Sequence, residues 1–418
     1  MATVVFRLDS GVVLKCFAIL YRGWYYGNAG ERFKPHAKTF GGLAELADFP
    51  GVFGGKEDSS RRTHFVFEYH HKELRYLATS EVSMRKRLAS LIFLLVFIFG
   101  CSDPRNTASL GGGGTNVGQL YVSTNSAILR FNNALAATGN VTPVGTITGA
   151  AATLSNPQHL VVDPSANRLF VANQGGSSVL VFESASTTTG NVTPTRTISG
   201  PATLLSAPHD LALDPTNNAL YVADGTQILV FSSASTTNGN VPPVHNISMG
   251  VAVGAILLDV ANNRLYVASG SGNLIDRLEG ASLQDGNAVV AASISGANTG
   301  LAQPEGLALD NTGRLIVSNA SGPSITIYAN AATANGNITP TATIAGANTQ
   351  LVGPNQILLN PVPSGGDLYV ADSVGGKVLI FSNVAGANGN TTPTRTIGGA
   401  GTGLVANAVN GVALDTTR

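Results

Sequence analysis

Short apolar runs separated by polar turns fill the chain from residue 118 to its end. Residues 208–231, PHDLALDPTNNALYVADGTQILVF, hold three such runs rich in Leu, Val, Ile, Phe and Tyr, a composition typical of β-strands. The runs are nearly continuously apolar instead of alternating, which indicates strands buried on both faces. A fourth run follows a Ser/Thr-rich connection, as at residues 195–199. The pattern therefore predicts an all-β unit of four strands.

This unit recurs with a period of about fifty residues, the signature of a repeat architecture. Full copies begin at Pro157, Pro208, Val253, Pro304 and Pro354, and partial copies begin at Gly118 and Val409. The first partial copy lacks a leading strand, and the last consists of that strand alone. Pairing them completes a sixth unit and removes the open sheet edges of a linear stack. Residues 118–418 are thus predicted to form a six-bladed β-propeller of four-stranded blades, closed by the C-terminal strand.

The turn residues agree with this arrangement. Gly or Asn stands two residues before the Leu that begins the second apolar run of each copy, and both residues tolerate a left-handed backbone. A Gly-Asn dipeptide separates the third and fourth runs, beginning at Gly139, Gly190, Gly239, Gly286, Gly336 and Gly389. Five of these dipeptides are soon followed by proline, which cannot donate to a sheet ladder. The fourth strand is therefore predicted to be the outer edge of each blade.

The repeats resemble NHL repeats, and LFVANQGGSSVLVF at Leu169 also resembles the YVTN-type repeats of lactonase-like and surface-layer proteins. The resemblance covers residues 118–418 and implies the propeller fold. Six countable units favour the NHL type, because the YVTN type commonly has seven. The Arg usual in the third NHL strand is absent here, and the usual Asp after the second strand is present only as Asp224 and Asp372. Both repeat types are defined by strand and turn residues, so the resemblance implies no particular activity.

A different kind of segment precedes the repeats. Met-Arg-Lys-Arg at residues 84–87 leads into LASLIFLLVFIFG and then Cys101. This apolar core is shorter than the roughly 17–25 residues of a membrane span, so residues 84–100 are predicted to be a secretory signal peptide. The sequence IFGC, ending at Cys101, resembles the lipobox of bacterial lipoproteins, which implies cleavage before Cys101 and lipidation of its thiol. Ser102 after this cysteine implies a place in the outer membrane.

Composition also indicates what the tether, the N-terminal segment and the charge balance of the repeat region imply. Residues 101–117 are Gly-rich and predicted to be a tether. Residues 1–83 are interpreted as an upstream extension from a mis-called start or a disordered segment. A cytoplasmic segment before a membrane anchor is the alternative. Only Cys16 and Cys101 are present, so no disulfide framework is expected. From Cys101 onward 15 Asp and Glu face 10 Lys and Arg, a balance that argues against nucleic acid as a partner.

One polar position at the start of each first strand supplies the candidate site. Its residues are Gln158, His209, Gly254, Glu305, Asn355 and Asn410, which a ring would place around one mouth of the central channel. Glu305, Asn355 and Asn410 offer oxygen ligands of the kind that Ca²⁺ takes, and His209 could serve as a base. Six-bladed calcium-dependent lactonases of the gluconolactonase and paraoxonase type use Glu, Asn and Asp at such places. The alternative is that these are ordinary polar residues around a water-filled central channel, which any propeller is expected to have.

Three functions are compatible with this sequence. The favoured one is a cell-envelope lipoprotein whose propeller is a non-catalytic binding or scaffolding module for a protein, peptide or glycan. The second is a calcium-assisted hydrolase of lactones or esters, with His209 and Glu305 as candidate catalytic residues. The third is a structural surface-layer protein. The first is favoured because the sequence contains no Walker loop, zinc-ligand spacing or nucleophile elbow.

Overall fold

A computed structural model describes residues 118–360 and 366–418, together with the backbone of three short strands near the N-terminus. These three strands, β1 (Ala2–Arg7), β2 (Val13–Ala18) and β3 (His64–Val66), form one sheet with β1 in the centre. They belong to a unit spanning Met1–Gly113, and Gly114–Arg418 forms a second unit. The predicted signal peptide, Cys101 and the tether lie outside the described residues.

Residues 118–418 form six sheets of four antiparallel strands arranged in a ring, so the predicted six-bladed β-propeller is confirmed. Blade 1 contains β4 (Gln119–Ser123), β5 (Ile128–Asn132) and β6 (Gly145–Ile147). Blade 2 contains β7 (Pro157–Asp163), β8 (Arg168–Asn173), β9 (Ser178–Glu183) and β10 (Arg196–Ser199). Blade 3 contains β11 (Pro208–Asp214), β12 (Ala219–Asp224), β13 (Gln227–Ser232) and β14 (His245–Ser248), with the two-residue strand β18 (Gly286–Asn287) added at its edge.

The other half of the ring repeats this plan. Blade 4 contains β15 (Ala255–Asp259), β16 (Arg264–Ser269), β17 (Leu274–Glu279) and β19 (Val290–Ser295). Blade 5 contains β20 (Pro304–Leu309), β21 (Leu315–Asn319), β22 (Ser324–Tyr328) and β23 (Ala342–Ala345). Blade 6 contains β24 (Pro354–Asn360), β25 (Asp367–Asp372), β26 (Lys377–Ser382) and β27 (Arg395–Ile397). The last strand, β28 (Gly411–Asp415), completes blade 1.

Single 3-10 turns occupy several loops of the described propeller. They are Ala150–Ala152, Gln174–Gly176, Pro201–Thr203, Val260–Asn262, Ala281–Leu283, Ala347–Thr349, Val384–Gly386 and Ala400–Thr402. No helix among the described residues has the length and apolarity needed to cross a membrane.

The ring closes inside blade 1. β28 pairs antiparallel with β4, from Gly411 opposite Ser123 to Asp415 opposite Gln119. The turn after β28 is held by the Asp415 carboxylate, which accepts from the Thr417 backbone N–H at 2.8 Å and lies 2.9 Å from the Arg418 guanidinium. The equivalent turn of blade 5 uses the same pair of residue types, Asp310 and Arg314. The seam is therefore built like an ordinary first hairpin.

The hydrophobic core lies between neighbouring blades. In β12, Leu220 and Val222 pack against blade 2, whereas Tyr221 and Ala223 pack against blade 4. All four side chains are almost fully buried, which explains why the strand is apolar at successive positions. Each blade thus has two buried faces, as the continuous apolar runs predict.

The Gly-Asn turns join neighbouring blades, a role that local turn preference does not reveal. The Gly190 N–H donates to the Thr146 carbonyl of blade 1 at 2.6 Å, and the Asn191 side-chain oxygen accepts from the Ala151 N–H at 2.7 Å. The same side-chain contact recurs at Asn140, Asn240, Asn337 and Asn390. The fourth strand is the outermost strand of its blade, but the Gly-Asn turn of the next blade covers part of its edge. We call each such contact a clasp.

The clasps also account for a glycine at the start of each 3-10 turn that they hold. A Cβ added to Gly149 would lie 2.5 Å from the Asn191 oxygen, and the φ of Gly149 is 95°. Blade 4 is the exception, because its dipeptide forms β18 and pairs in parallel with β14 of blade 3. The Asp285 carboxylate, which accepts from the Asn246 N–H at 2.9 Å, supplies the side-chain contact there.

Replacing a clasp asparagine should destabilise the propeller. We expect Asn240→Ala to lower the free energy of unfolding by about 1–2 kcal/mol, because the Ala202 N–H loses its acceptor. Asn287→Ala, at the corresponding place in blade 4, is the matched control and should change it by less than about 0.5 kcal/mol. Urea unfolding followed by circular dichroism measures both values. Equal losses in the two variants would contradict the clasp.

Candidate functional site

The first residues of the six inner strands surround one end of the channel, here called the mouth. His209, Glu305 and Asn355 line a shared cavity of about 330 Å³ together with Gln303 and Val374. Residues of blades 3, 5 and 6 therefore meet in one place, as the repeat alignment suggests. His209 and Glu305 are half-buried there.

Gln158 and Asn410 are held by other parts of the mouth. The Asn410 side-chain N–H₂ donates to the Pro157 carbonyl at 2.9 Å and to the Asn125 side-chain oxygen at 3.2 Å. The Gln158 side-chain N–H₂ reaches the Asn156 carbonyl at 3.4 Å and Gln174 Oε1 at 3.5 Å. These two predicted site residues connect loops of blades 1 and 2 and do not line the cavity that contains His209.

β-Bulges at the mouth introduce two residues that the repeat alignment did not single out. The register shifts by one residue between Pro157 and Leu160 in β7 and between Pro208 and Asp210 in β11. A bulge re-aims side chains relative to strict alternation. As a result, His159 and Asp210 meet across the boundary between blades 2 and 3.

His159 forms the centre of this buried polar cluster. Its Nδ1 lies 2.9 Å from a carboxylate oxygen of Asp210, and the two side chains are 0% and 5% exposed. Its Nε2 lies 3.1 Å from the Asn355 Oδ1 atom on blade 6. Burial alone would lower the pKa of His159, but the Asp210 carboxylate and the Asn355 amide raise that pKa above its ordinary value. With both ring nitrogens facing acceptors, His159 is a buried imidazolium that links blades 2, 3 and 6.

His209 has the opposite protonation preference. Its ring centroid lies 4.7 Å from that of His159, and its Nδ1–H donates to the Gly254 carbonyl at 2.7 Å. Burial, followed by the positive charge of His159, lowers the pKa of His209 to about 4. At neutral pH the ring is uncharged and its Nε2 is a hydrogen-bond acceptor. Two adjacent histidines are thus pushed to opposite states by their surroundings.

Glu305 occupies space left by two glycines of blade 4. A Cβ added to Gly254 or Gly270 would lie 3.1 or 3.0 Å from its carboxylate oxygens. Gln303 donates to Glu305 Oε1 at 3.0 Å. Burial raises the pKa of Glu305, although the bond from Gln303 and the charge of His159 act in the other direction. The carboxylate thus stands in a partly desolvated position at the edge of the cavity.

The predicted calcium ligands are engaged by different partners. Asn355 Oδ1 accepts from the buried His159 ring, Asn410 donates to loop oxygens, and the Glu305 carboxylate lies against blade 4. Within the described part of the chain, no group of three or more His, Cys, Asp or Glu side chains could hold a metal ion. These bonds use the Asn355 oxygen and the Asn410 N–H₂ group. Calcium binding stays a prediction.

A second cavity adjoins the first through Gln303. It measures about 480 Å³ and is lined by Gly270, Ser271, Asn273, Leu301, Ala302, Gln303 and Ser321. The Ser321 hydroxyl donates to Gln303 Oε1 at 2.8 Å, and the Gln303 backbone N–H donates to Asn273 Oδ1 at 2.7 Å. Sequence reasoning missed Gln303, although its position just before Pro304 marks the end of the loop that leads to the mouth.

Acidification from pH 6.5 to pH 4 should destabilise the propeller through His209. An unfolded histidine takes up a proton near pH 6.5, whereas folded His209 does so near pH 4, so the unfolded state binds more protons in this window. We expect the free energy of unfolding to fall by about 2 kcal/mol, less than the full shift implies because solvent reaches part of the ring. Urea unfolding at half-unit pH steps measures the slope.

The variant His209→Gln isolates this contribution. It should flatten the acid slope, because no ring remains to titrate. Two neighbouring groups change the free energy of unfolding in the opposite direction on acidification. The pKa values of His159 and Glu305 are raised, so both favour the folded state as pH falls through those values. An unchanged slope in His209→Gln would contradict the assignment of a neutral His209.

Comparison with known proteins finds similarity to solved structures but not to known sequences. No protein-family model matches the chain, and no curated protein matches it. One similar solved structure is that of a nidogen/laminin complex, with 15% identity, 71% of this chain and 98% of that chain covered, and a TM-score of 0.49. Another is a protein of unknown function from Bacteroides caccae, with 10% identity, the same 71% and 98% coverage and a TM-score of 0.49. At this level neither similarity bears on function.

Proposed function

We propose that the NHL-type propeller is a non-catalytic binding module that holds a protein or peptide at its mouth. The observation that carries this proposal is the pair of adjoining cavities, about 330 and 480 Å³, which share Gln303. Concave sites with a few convergent polar groups are typical of ligand-binding surfaces. A glycan is the other partner class compatible with the sequence.

The surroundings of the cavities support a protein or peptide partner. Val352, Val374 and Val405 are 47%, 46% and 59% exposed on loops of the mouth face around blade 6. Apolar side chains next to a polar cavity provide the mixed surface found at protein interfaces. Near the channel axis, His159 contacts both Asp210 and Asn355, which leaves the rim for a partner.

A thermal-shift screen of the full chain against peptides and soluble glycans tests this proposal. A ligand bound only by the folded state at a hundred times its Kd stabilises that state by roughly 2.7 kcal/mol. We expect Ser321→Trp, which fills the second cavity, to abolish the shift. Ser165→Trp, in an exposed turn at the opposite end of blade 2, is the matched control and should retain it. A ligand shift that survives Ser321→Trp unchanged would place binding elsewhere and refute the proposal.

We further propose that the protein is a bacterial cell-envelope lipoprotein of the outer membrane. The support is the sequence of residues 84–102, in which a basic cluster, a short apolar core and a lipobox-like IFGC precede Ser102. Several acyl chains on Cys101 would anchor the chain stably, whereas one chain gives only marginal binding. Cys101→Ser should therefore release the protein from the membrane fraction and remove labelling by radioactive palmitate. Retention of both would refute lipidation at Cys101.

One observation favours a second candidate function, hydrolysis of a lactone or ester. The neutral His209 presents an acceptor nitrogen to the cavity that it shares with Glu305, and a general base must be able to take up a proton. A panel of lactones and aryl esters, assayed with added calcium and with a chelator, tests this candidate. Turnover lost in His209→Gln would support the hydrolase, and no turnover in either condition would discard it.

A further inference from the structure

Positive and negative charges are distributed unequally between the two ends of the described propeller. The strand registers place the arginines at the middle or the far end of the blades, away from the mouth: Arg130, Arg168, Arg196, Arg264, Arg277, Arg314, Arg395 and Arg418. Most of them form ion pairs there, such as Arg168 with Glu183 at 2.6 Å and Arg395 with Asp367 at 2.7 Å. The far end is therefore close to neutral.

The mouth end carries an excess of carboxylates. Asp210, Asp224, Glu305 and Asp372 lie at strand ends on this side, where the cations of the described propeller are Lys377 and the His159 imidazolium. An acidic end attracts cationic groups from solution. The excess negative charge of the repeat region is thus concentrated at the end that has the cavities.

Three of these four carboxylates are occupied within the protein. Asp224 accepts from the Ser206 and Ala207 backbone N–H groups, and Asp372 does the same for Val352 and Gly353. Asp210 pairs with the His159 imidazolium.

Glu305 is the mouth carboxylate that can accept further hydrogen bonds. Among the described contacts it accepts one side-chain hydrogen bond, from Gln303, whereas an ionised carboxylate can accept about four. It also borders the 330 Å³ cavity. It is therefore the mouth carboxylate available to a ligand.

The other cavity groups complement a donor-rich cation. His209 Nε2 is an acceptor because the Nδ1–H is used by the Gly254 carbonyl. Val374 and Pro354 form an apolar wall beside Glu305, of the kind along which the methylenes of a long basic side chain pack. An ammonium or guanidinium group supplies several N–H donors and the positive charge that the cavity lacks.

We propose that the Glu305 cavity binds a lysine or arginine side chain of a peptide or protein partner. This inference rests on the proposed binding function and specifies its ligand chemistry. Glu305 is the charge partner of the basic side chain, and His209 accepts a second hydrogen bond. Gly254 and Gly270 leave room for the Glu305 carboxylate, since a Cβ at either position would be in tight contact with it.

Fluorescence anisotropy with labelled hexalysine and the purified full chain tests the inference. Glu305→Gln keeps the shape of the side chain and removes its charge, and we expect it to weaken binding about tenfold. Asp285→Asn is the matched control, because it removes one exposed carboxylate at the outer edge of blade 3, outside the cavity lining, and keeps the oxygen that accepts from Asn246. It should change the affinity less than about twofold. Hexalysine acetylated on every side chain should not bind.

Each other result has a defined meaning. If Glu305→Gln and Asp285→Asn weaken hexalysine binding equally, the binding reflects only long-range electrostatic attraction. That result would overturn the assignment of the Glu305 cavity as the binding site. A thermal shift with Ca²⁺ that requires Glu305, without hexalysine binding, would assign the cavity to a metal ion. Binding of another ligand that Ser321→Trp blocks and Glu305→Gln leaves intact would overturn this inference but not the proposed binding function. No ligand at the mouth in any assay would overturn both. Circular dichroism confirms that the variants are folded.

Discussion

Deletion of residues 409–418 should abolish cooperative folding of the propeller. The deletion removes β28, whose five residues are buried and pair along the whole of β4. Val409 and Val412 are fully buried in the core between blades 6 and 1, and burial of each such side chain contributes about 1.5–3 kcal/mol. Loss of this strand also exposes an edge of β4 and opens the ring. The summed loss is comparable with the roughly 5–15 kcal/mol that stabilises a whole domain.

A shorter truncation provides the control. Removing residues 416–418 leaves β28 in place and deletes only the contacts of the terminal turn, including the Arg418 to Asp415 ion pair of 2.9 Å. We expect this variant to unfold cooperatively in urea with a midpoint near that of the intact chain. The longer truncation should show no cooperative transition by circular dichroism. A protein that lacks residues 409–418 and melts like the intact chain would disprove closure within blade 1.

Replacing Asp210 with alanine should destabilise the fold more than loss of any clasp. The change leaves the buried His159 imidazolium without its counter-charge and the Ile256 N–H without the acceptor that it meets at 2.8 Å. Removing one partner of a buried ion pair typically costs about 3–5 kcal/mol. Urea unfolding at pH 6 measures the loss.

The matched control lies in the same strand. Asp214→Ala also removes a buried carboxylate that caps backbone N–H groups, those of Thr216 and Asn217, but Asp214 faces no imidazolium. We expect a loss of about 1–2 kcal/mol there. The Asp210 variant should also change the pH dependence of stability, because His159 loses the carboxylate that raises its pKa. The loss of stability that the intact protein shows as pH rises through the folded pKa should therefore disappear. Similar losses in the two variants would contradict the buried ion pair.

The sequence was sufficient to predict the fold because the signals for strands and turns are local. Asn167, Asn218 and Asn263 adopt the left-handed backbone that their position before the second strand suggests, with φ between 52° and 54°. Closure by β28 followed from two incomplete copies at opposite ends of the repeat array. The clasps were not predicted, because most join residues about forty positions apart, the Asn140 clasp spans the ring closure, and all depend on how neighbouring blades stack.

The site was predicted only in part for a related reason. Alignment of the repeats correctly grouped His209, Glu305 and Asn355 at the mouth, since equivalent positions in a ring meet there. It did not identify His159 and Asp210, because β-bulges change which residues face the channel and leave no residue-type signature in these strands. The segregation of the arginines was not predicted, although Arg168 and Arg264 begin second strands.

The chain enters the propeller at Gly118, beside Asp415 and therefore on the arginine side of the disc. Gly118 and the Glu305 cavity therefore lie at opposite ends of the described propeller.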